Sequence, residues 1–379
     1  MNMPRRIFSF LRGFDITLFI AMGCILLAGL LTMSSFQGHD SYFIKQGIWI
    51  IISLIIFIIA SRFEYRFLRQ TRIVVTIYIV LLSVLTLLFI IGHVSKGAQS
   101  WFQLGGLSFQ PSDLMKLGLI IILAKYFSRR HVEIANIRHI IVSGVYALIP
   151  FILVVLQPDL GSALVLGAIW LGMVLVSGIS KKHLFTVIAL FIVAMSLSWK
   201  FVFKPYQKAR IVNFIYPLQD IRGTGYNAYQ STIAVGSGGL LGKGLGYGTQ
   251  SRLNFLPEYK TDFIFAAYAE EWGFVGSLLL LLFYSIILYK IAVYALVADS
   301  TFESLFTYGV MIWIATHVAI NIGMNLGIMP VTGIPLPLMS YGGSHLLAEC
   351  LALAMCAGMY RYARSGHKYH IKNEFVGLE

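Results

Sequence analysis

Charge is what this sequence has least of. Asp, Glu, Lys and Arg make up 12% of its 379 residues, while 58% are hydrophobic and the mean hydropathy is +0.79. Soluble domains carry about 25% charged and about 45–50% apolar residues, so this balance excludes a soluble multidomain enzyme, a β-barrel and a disordered scaffold. Cysteine is also scarce. Cys24, Cys350 and Cys356 lie in apolar runs without CxxC spacing, which argues against a disulfide framework or a zinc site and leaves them as packing residues. No small-residue cleavage site follows the basic start Arg5, Arg6 and Arg12, so the first apolar run reads as a retained span.

What the chain does have is long apolar runs, near 15–35, 44–62, 73–92, 111–127, 138–156, 159–178, 183–203, 263–292, 304–326 and 343–363. Each is close to the roughly 20 residues that cross a hydrocarbon core as a helix. The expectation is an all-α polytopic membrane protein with ten transmembrane helices, forming a single transmembrane domain over residues 1–379. Loop charges orient it. The N-tail, Arg62, Arg66, Arg69, Arg72, Lys125, Arg129, Arg130, Arg138, Lys181, Lys182, Lys290, Arg361, Arg364, Lys368 and Lys372 fall on one side, whereas the short loops opposite hold only Lys45 and Lys96. By the positive-inside rule both termini are cytoplasmic. The net charge of +13 is therefore mostly topological and points to no nucleic acid.

One long periplasmic loop, 204–262, separates helices 7 and 8. It holds Lys204, Lys208, Arg210, Arg222, Lys243, Arg252 and Lys260, interleaved with Tyr206, Tyr216, Tyr226 and Tyr229, a basic surface suited to phosphate or to anionic lipid. Its glycines, Gly236 to Gly248, do not form a Walker A loop, because Lys243 is followed by Gly244. They suit tight turns and close backbone approach to a substrate or a neighbouring helix.

Ionisable residues at the outer membrane edge are functional candidates, since an unpaired charge in lipid is costly. Asp113 and Lys116 open the fourth span at i, i+3, either as an ordinary helix-start ion pair or as the lining of a cavity that opens outward. Asp159 is a cap or a site residue at the start of the sixth span, and Asp262 is both N-cap and candidate base at the start of the eighth. Glu270 and Glu271, about two turns deeper, read as buried pairing groups. The uncharged segment from Gly327 to Ser344, with Pro330, Pro335 and Pro337, reads as a re-entrant or surface-lying loop whose backbone must be covered by protein or line a wet cavity. His345 follows it, as a pH-active group or as a hydrogen-bonded interfacial histidine.

The runs Phe109-Gln110-Pro111-Ser112-Asp113 with Lys116, Gln157-Pro158-Asp159-Leu160-Gly161-Ser162, Tyr206-Gln207 with Arg210-Ile211, Gly236-Ser237-Gly238-Gly239 with Gly242-Lys243-Gly244, Leu256-Pro257-Glu258 with Thr261-Asp262-Phe263-Ile264-Phe265, and Pro335 to Gly343 together resemble the SEDS family, that of RodA and FtsW. The short N-tail and Asn254 to Glu258 resemble its elongation branch more than its division branch. The resemblance implies an inner-membrane peptidoglycan glycosyltransferase that polymerises lipid II, with Asp262 at the position of the family's essential aspartate. It also implies a class B penicillin-binding protein as partner. Asp113 departs from the family, which more often has Glu there.

On this reading Asp262 is the general base, and Arg210, with Lys116 or Lys243, stabilises the departing pyrophosphate of the polyprenyl-linked glycan. A divalent cation is compatible with this chemistry, but the sequence shows no dedicated ligand set. The alternatives are a lipid II flippase, which needs a polar lining through to the cytoplasmic face, and a non-catalytic scaffold.

Overall fold

The computed structural model describes residues 15–35, 40–95, 98–104, 107–129, 137–201, 203–216, 220, 223, 225–253 and 255–375. Arg5, Arg6, Arg12, Lys96, Arg130, Arg222 and Asn254 lie outside the described residues. Every apolar run of the sequence falls on a helix: α1 (Ile16–Ser34), α2 (Asp40–Ala60), α3 (Thr71–Ile91), α4 (Pro111–Ser128), α5 (Ile137–Leu156), α6 (Leu160–Val176) and α7 (Lys181–Phe201). After three helices of the long connecting segment, α8 (Pro205–Ile215), α9 (Tyr226–Ser237) and α10 (Thr249–Arg252), come α11 (Ile264–Leu296), α12 (Thr301–Asn325) and α13 (Gly343–Phe375). Seven of these helices, α1, α2, α3, α5, α11, α12 and α13, are long and apolar enough to cross a membrane.

One element departs from an all-α reading. Between α3 and α4 the chain forms three antiparallel strands, β1 (His93–Ser95), β2 (Ala98–Leu104) and β3 (Leu107–Phe109). Phe102 faces Phe109 across β2 and β3. The run is too short and polar to span, and pairing satisfies backbone groups that no helix takes up.

Helix α4 is the hub. It packs against α3, α5, α6, α12 and α13, and its residues from Leu117 to Ala124 are all buried. A helix apolar all round is what the centre of a bundle requires. The outer surface is apolar as well: Ile90 is 79% exposed, Phe185 73% and Phe201 72%. Exposure of this kind, on helices of this length, is lipid-facing surface rather than an isolated patch.

Polar contacts sort the two ends of the bundle. At one end Arg69 pairs with Glu303 at 2.7 Å and Asp299 at 3.3 Å, and Lys125 donates to the Arg69 carbonyl. There too Arg361 donates to the Arg62 carbonyl at 2.8 Å, and Lys290 reaches Asp15, the N-cap of α1, at 2.9 Å. Residues drawn from separate basic loops of the sequence thus meet at a single end. The opposite end carries the strands, the turn at Gln157–Asp159 and the segment 327–342.

Candidate active site

The segment 327–342 is the organising element. Ile334, Leu336, Leu338, Met339 and Ser340 are buried, and each backbone polar group named here finds a partner on a different part of the chain. Asn321 of α12 donates to the Ile334 carbonyl at 2.7 Å, Tyr284 of α11 donates to Pro337 O at 2.5 Å, and Gln46 of α2 donates to Ser340 O at 3.3 Å. Leu338 N donates to Glu349 of α13 at 2.8 Å. Proline-rich, uncharged backbone can lie inside the bundle only if it is satisfied in this way.

The same segment fixes the turn that carries Asp262. Ser340 Oγ donates to Thr261 O at 2.6 Å and Tyr341 N to Lys260 O at 2.9 Å. The Asp262 carbonyl accepts from Asn321 at 2.9 Å and from Asn325 at 3.1 Å. Asn325 Oδ1 also accepts from Ala266 N at 3.1 Å, which serves a first-turn donor of α11. The cap position falls one residue later than expected, at Phe263 rather than Asp262, and Asn325 supplies an acceptor to the first turn. The Asp262 carboxylate is half-buried and faces Gly333, where a Cβ would lie 3.6 Å from Oδ2.

Asp113 and Lys116 form the expected ion pair, at 2.9 Å and with both side chains only 2% exposed. Asp113 also accepts from Ser344 at 3.3 Å and lies 3.4 Å from His345 Nδ1. His345 Nε2 is 2.8 Å from Glu349 Oε1, and its ring stacks on that of His317 at 5.0 Å between centroids. The first turns of α4 and α13 therefore share one buried polar cluster. Asp159 caps α6 through Ser162 N at 3.0 Å and also accepts from Gln110 at 2.9 Å. It joins the same region, because a Cβ at the adjacent Gly161 would lie 2.8 Å from Thr332 O.

Lys243 and Arg210 are placed differently. The Lys243 ammonium sits 2.7 Å from Glu270, so the cation named as a pyrophosphate candidate is engaged by the residue read as a buried pairing group. Arg210 is exposed on α8. Lys260, two residues before Asp262, lies 3.9 Å from the centre of the Tyr42 ring. Burial lowers its pKa, partly offset by Glu258.

Glu349 and His317 were absent from the sequence-based candidates. The i, i+4 spacing of His345 and Glu349 puts them on one face of α13 and was a legible signal. His317 is brought in from α12 by tertiary packing alone.

Comparison with known proteins agrees with this architecture. The family model for FtsW, RodA and SpoVE, described as a cell cycle protein, matches residues 11–365. The peptidoglycan glycosyltransferase MrdB of Escherichia coli (strain K12) is 36% identical over 334 residues, covering 88% of this chain and 90% of that protein. Stage V sporulation protein E of Bacillus subtilis (strain 168) is 34% identical over 361 residues, covering 92% and 98%. A solved structure described as the structural coordination of polymerization and crosslinking by a peptidoglycan synthase complex superposes with a TM-score of 0.81 at 30% identity, covering 92% of this chain and 98% of that one. The Thermus thermophilus rod shape determining protein RodA superposes with a TM-score of 0.69 at 30% identity, covering 92% and 96%.

Proposed function

This chain belongs to the FtsW, RodA and SpoVE family, and from that membership we infer that it is a peptidoglycan glycosyltransferase. It joins lipid II units into β-1,4 glycan strands at the outer face of the bacterial inner membrane during elongation. Ten helices span the membrane with both termini cytoplasmic, and segment 204–262 lies on the periplasmic side. The end where Arg62, Arg69, Lys125 and Arg361 meet is the cytoplasmic one.

The observation that carries the reaction is the Asp262 turn. Its backbone is clamped by Asn321, Asn325, Ser340 and Tyr341, and its carboxylate is half-buried beside Gly333. A base held on a rigid, protein-satisfied turn is pre-organised for proton transfer. Asp262 takes the proton of the acceptor's 4-hydroxyl, the oxygen attacks the anomeric carbon of the polyprenyl-linked chain with inversion, and polyprenyl pyrophosphate leaves. Arg210 and Lys116 stabilise the departing charge electrostatically. Lys243, held by Glu270, orders the glycine-rich segment and contributes to the site through it.

A flippase would need a polar path through the bundle. Below Lys116, helix α4 offers only buried apolar residues, Leu117 to Ala124, before Lys125, so it adds no polar lining to such a path, which favours the enzyme. The partner proposed is a class B penicillin-binding protein that crosslinks the new strands. The test is to incubate the purified chain with labelled lipid II, with and without that partner. Glycan polymer that forms despite moenomycin is expected. Absence of polymer under both conditions, with lipid II moved across vesicles instead, would establish the transporter reading.

A further inference from the structure

Among the described residues, His317, His345 and Glu349 each offer one donor atom, and the three atoms lie within 4.8 Å of one another. All three side chains are more than nine-tenths buried. His317 Nδ1 is 3.2 Å from the Pro335 carbonyl, which can only accept, so Nδ1 carries the proton and Nε2 presents its lone pair. Among the described residues that Nε2 has no hydrogen-bond partner. Glu349 is oriented by Leu338 N on Oε2, which leaves Oε1 toward His345. His345 lies between two carboxylates, with Asp113 3.4 Å from its Nδ1 and Glu349 Oε1 2.8 Å from its Nε2.

An unpartnered imidazole nitrogen beside a second imidazole and a carboxylate, all three donor atoms within 4.8 Å of one another, is a donor set that one cation can share. A backbone carbonyl behind one histidine and a carboxylate behind the other are the supports that metal-ligating imidazoles use. We propose that His317, His345 and Glu349 bind one divalent transition-metal ion of zinc type, with the fourth position open to water. Two imidazoles and a carboxylate are a donor set that zinc accepts. The ion would tie α12 to α13 beneath Pro335 and Leu338, in the segment that clamps the Asp262 turn. This site is independent of the glycosyl-transfer reading.

The test uses the full chain without a polyhistidine tag, stripped with a chelator and then dialysed against Zn2+ or Co2+. Elemental analysis is expected to find one equivalent of Zn2+, and Co2+ to give the visible absorption of a four-coordinate nitrogen and oxygen site. His317→Gln and Glu349→Gln should each weaken binding by at least about tenfold, since even supporting residues of metal sites cost that much. Size-exclusion and melting profiles check that the variants fold; if they do not, the wild-type cobalt spectrum and metal content decide alone. Folded wild-type protein that retains no stoichiometric Zn2+ and shows no cobalt band overturns the site. Binding unchanged in both variants overturns it equally.

Discussion

Asp262 and Glu270 are carboxylates eight residues apart around the start of α11, and their surroundings are opposite. Glu270 is fully buried and saturated: it accepts from Lys243 at 2.7 Å, from Thr249 N at 2.8 Å, from Thr249 Oγ1 at 3.0 Å and from Gln250 N at 3.1 Å. Its own backbone carbonyl and that of Glu271 accept from Lys243 N and Gly244 N. Helix α11 breaks at Gly273, at a φ of 68°, to receive this segment, and Gly242 at 81° turns against it. At the Asp262 turn it is the backbone that is held, by four donors: Asn321 and Asn325 on the Asp262 carbonyl, Ser340 Oγ on Thr261 O and Tyr341 N on Lys260 O, while the Asp262 carboxylate is half-buried beside Gly333. A fully buried carboxylate that accepts on both oxygens from its own chain is a latch. One that is half-buried on a fixed turn, beside a glycine, leaves room for a neighbouring group.

The sharpest way to break this contrast is to remove each acid while keeping its size. Asp262→Asn should lower the polymerisation rate by about 10²–10⁴-fold, the range for a general base, with an unchanged melting temperature. A wild-type rate from purified Asp262→Asn protein would reject the assignment. Asp113→Asn tests a third environment. It leaves Lys116 buried without its counter-charge, which costs about 3–5 kcal/mol, and Asp113→Asn with Lys116→Met should recover most of that loss. Thermal melts of the single and double variants check this; equal destabilisation of both would show that the pair is not what holds α4 there. Glu270→Gln should cost less, about 1–3 kcal/mol, because Lys243 is 28% exposed and can turn to water. Limited proteolysis between Gly238 and Arg252 should then become faster, and the rate per folded molecule should fall far less than in Asp262→Asn.

The legibility of these three acids in the sequence differed for physical reasons. Asp113 with Lys116 was readable because i, i+3 spacing dictates their contact whatever the rest of the fold does. Asp262 was expected at the cap position of α11, since an acid before an apolar run usually stands there; the cap falls at Phe263, and Asn325, from the far end of α12, supplies an acceptor to the first turn that no local rule foresees. Glu270 was read as a pairing group but its cation was assigned elsewhere, because the turn that brings Lys243 back depends on left-handed glycines and a helix break. The helices followed from runs of apolar residues, whereas β1 to β3 were missed because strand pairing is decided by partners rather than by periodicity. The buried histidine pair needed α12 and α13 to be packed before it existed at all.

The smallest expected effect separates the two cations proposed for pyrophosphate. Lys116 is buried beside Asp113, while Arg210 is exposed on α8, so salt should act on them differently. At about 0.15 M ionic strength the Debye length is roughly 8 Å, which screens an exposed contact far more than a buried one. Arg210→Ala should slow turnover by roughly tenfold at low salt, the worth of one exposed charge-assisted contact, without lowering the melting temperature. The difference from wild type should shrink as salt rises, because wild type loses the same contribution to screening. Turnover measured against ionic strength for both proteins decides it. Parallel curves, or an unchanged rate at low salt, would remove Arg210 from the site and leave Lys116 as the proposed cation.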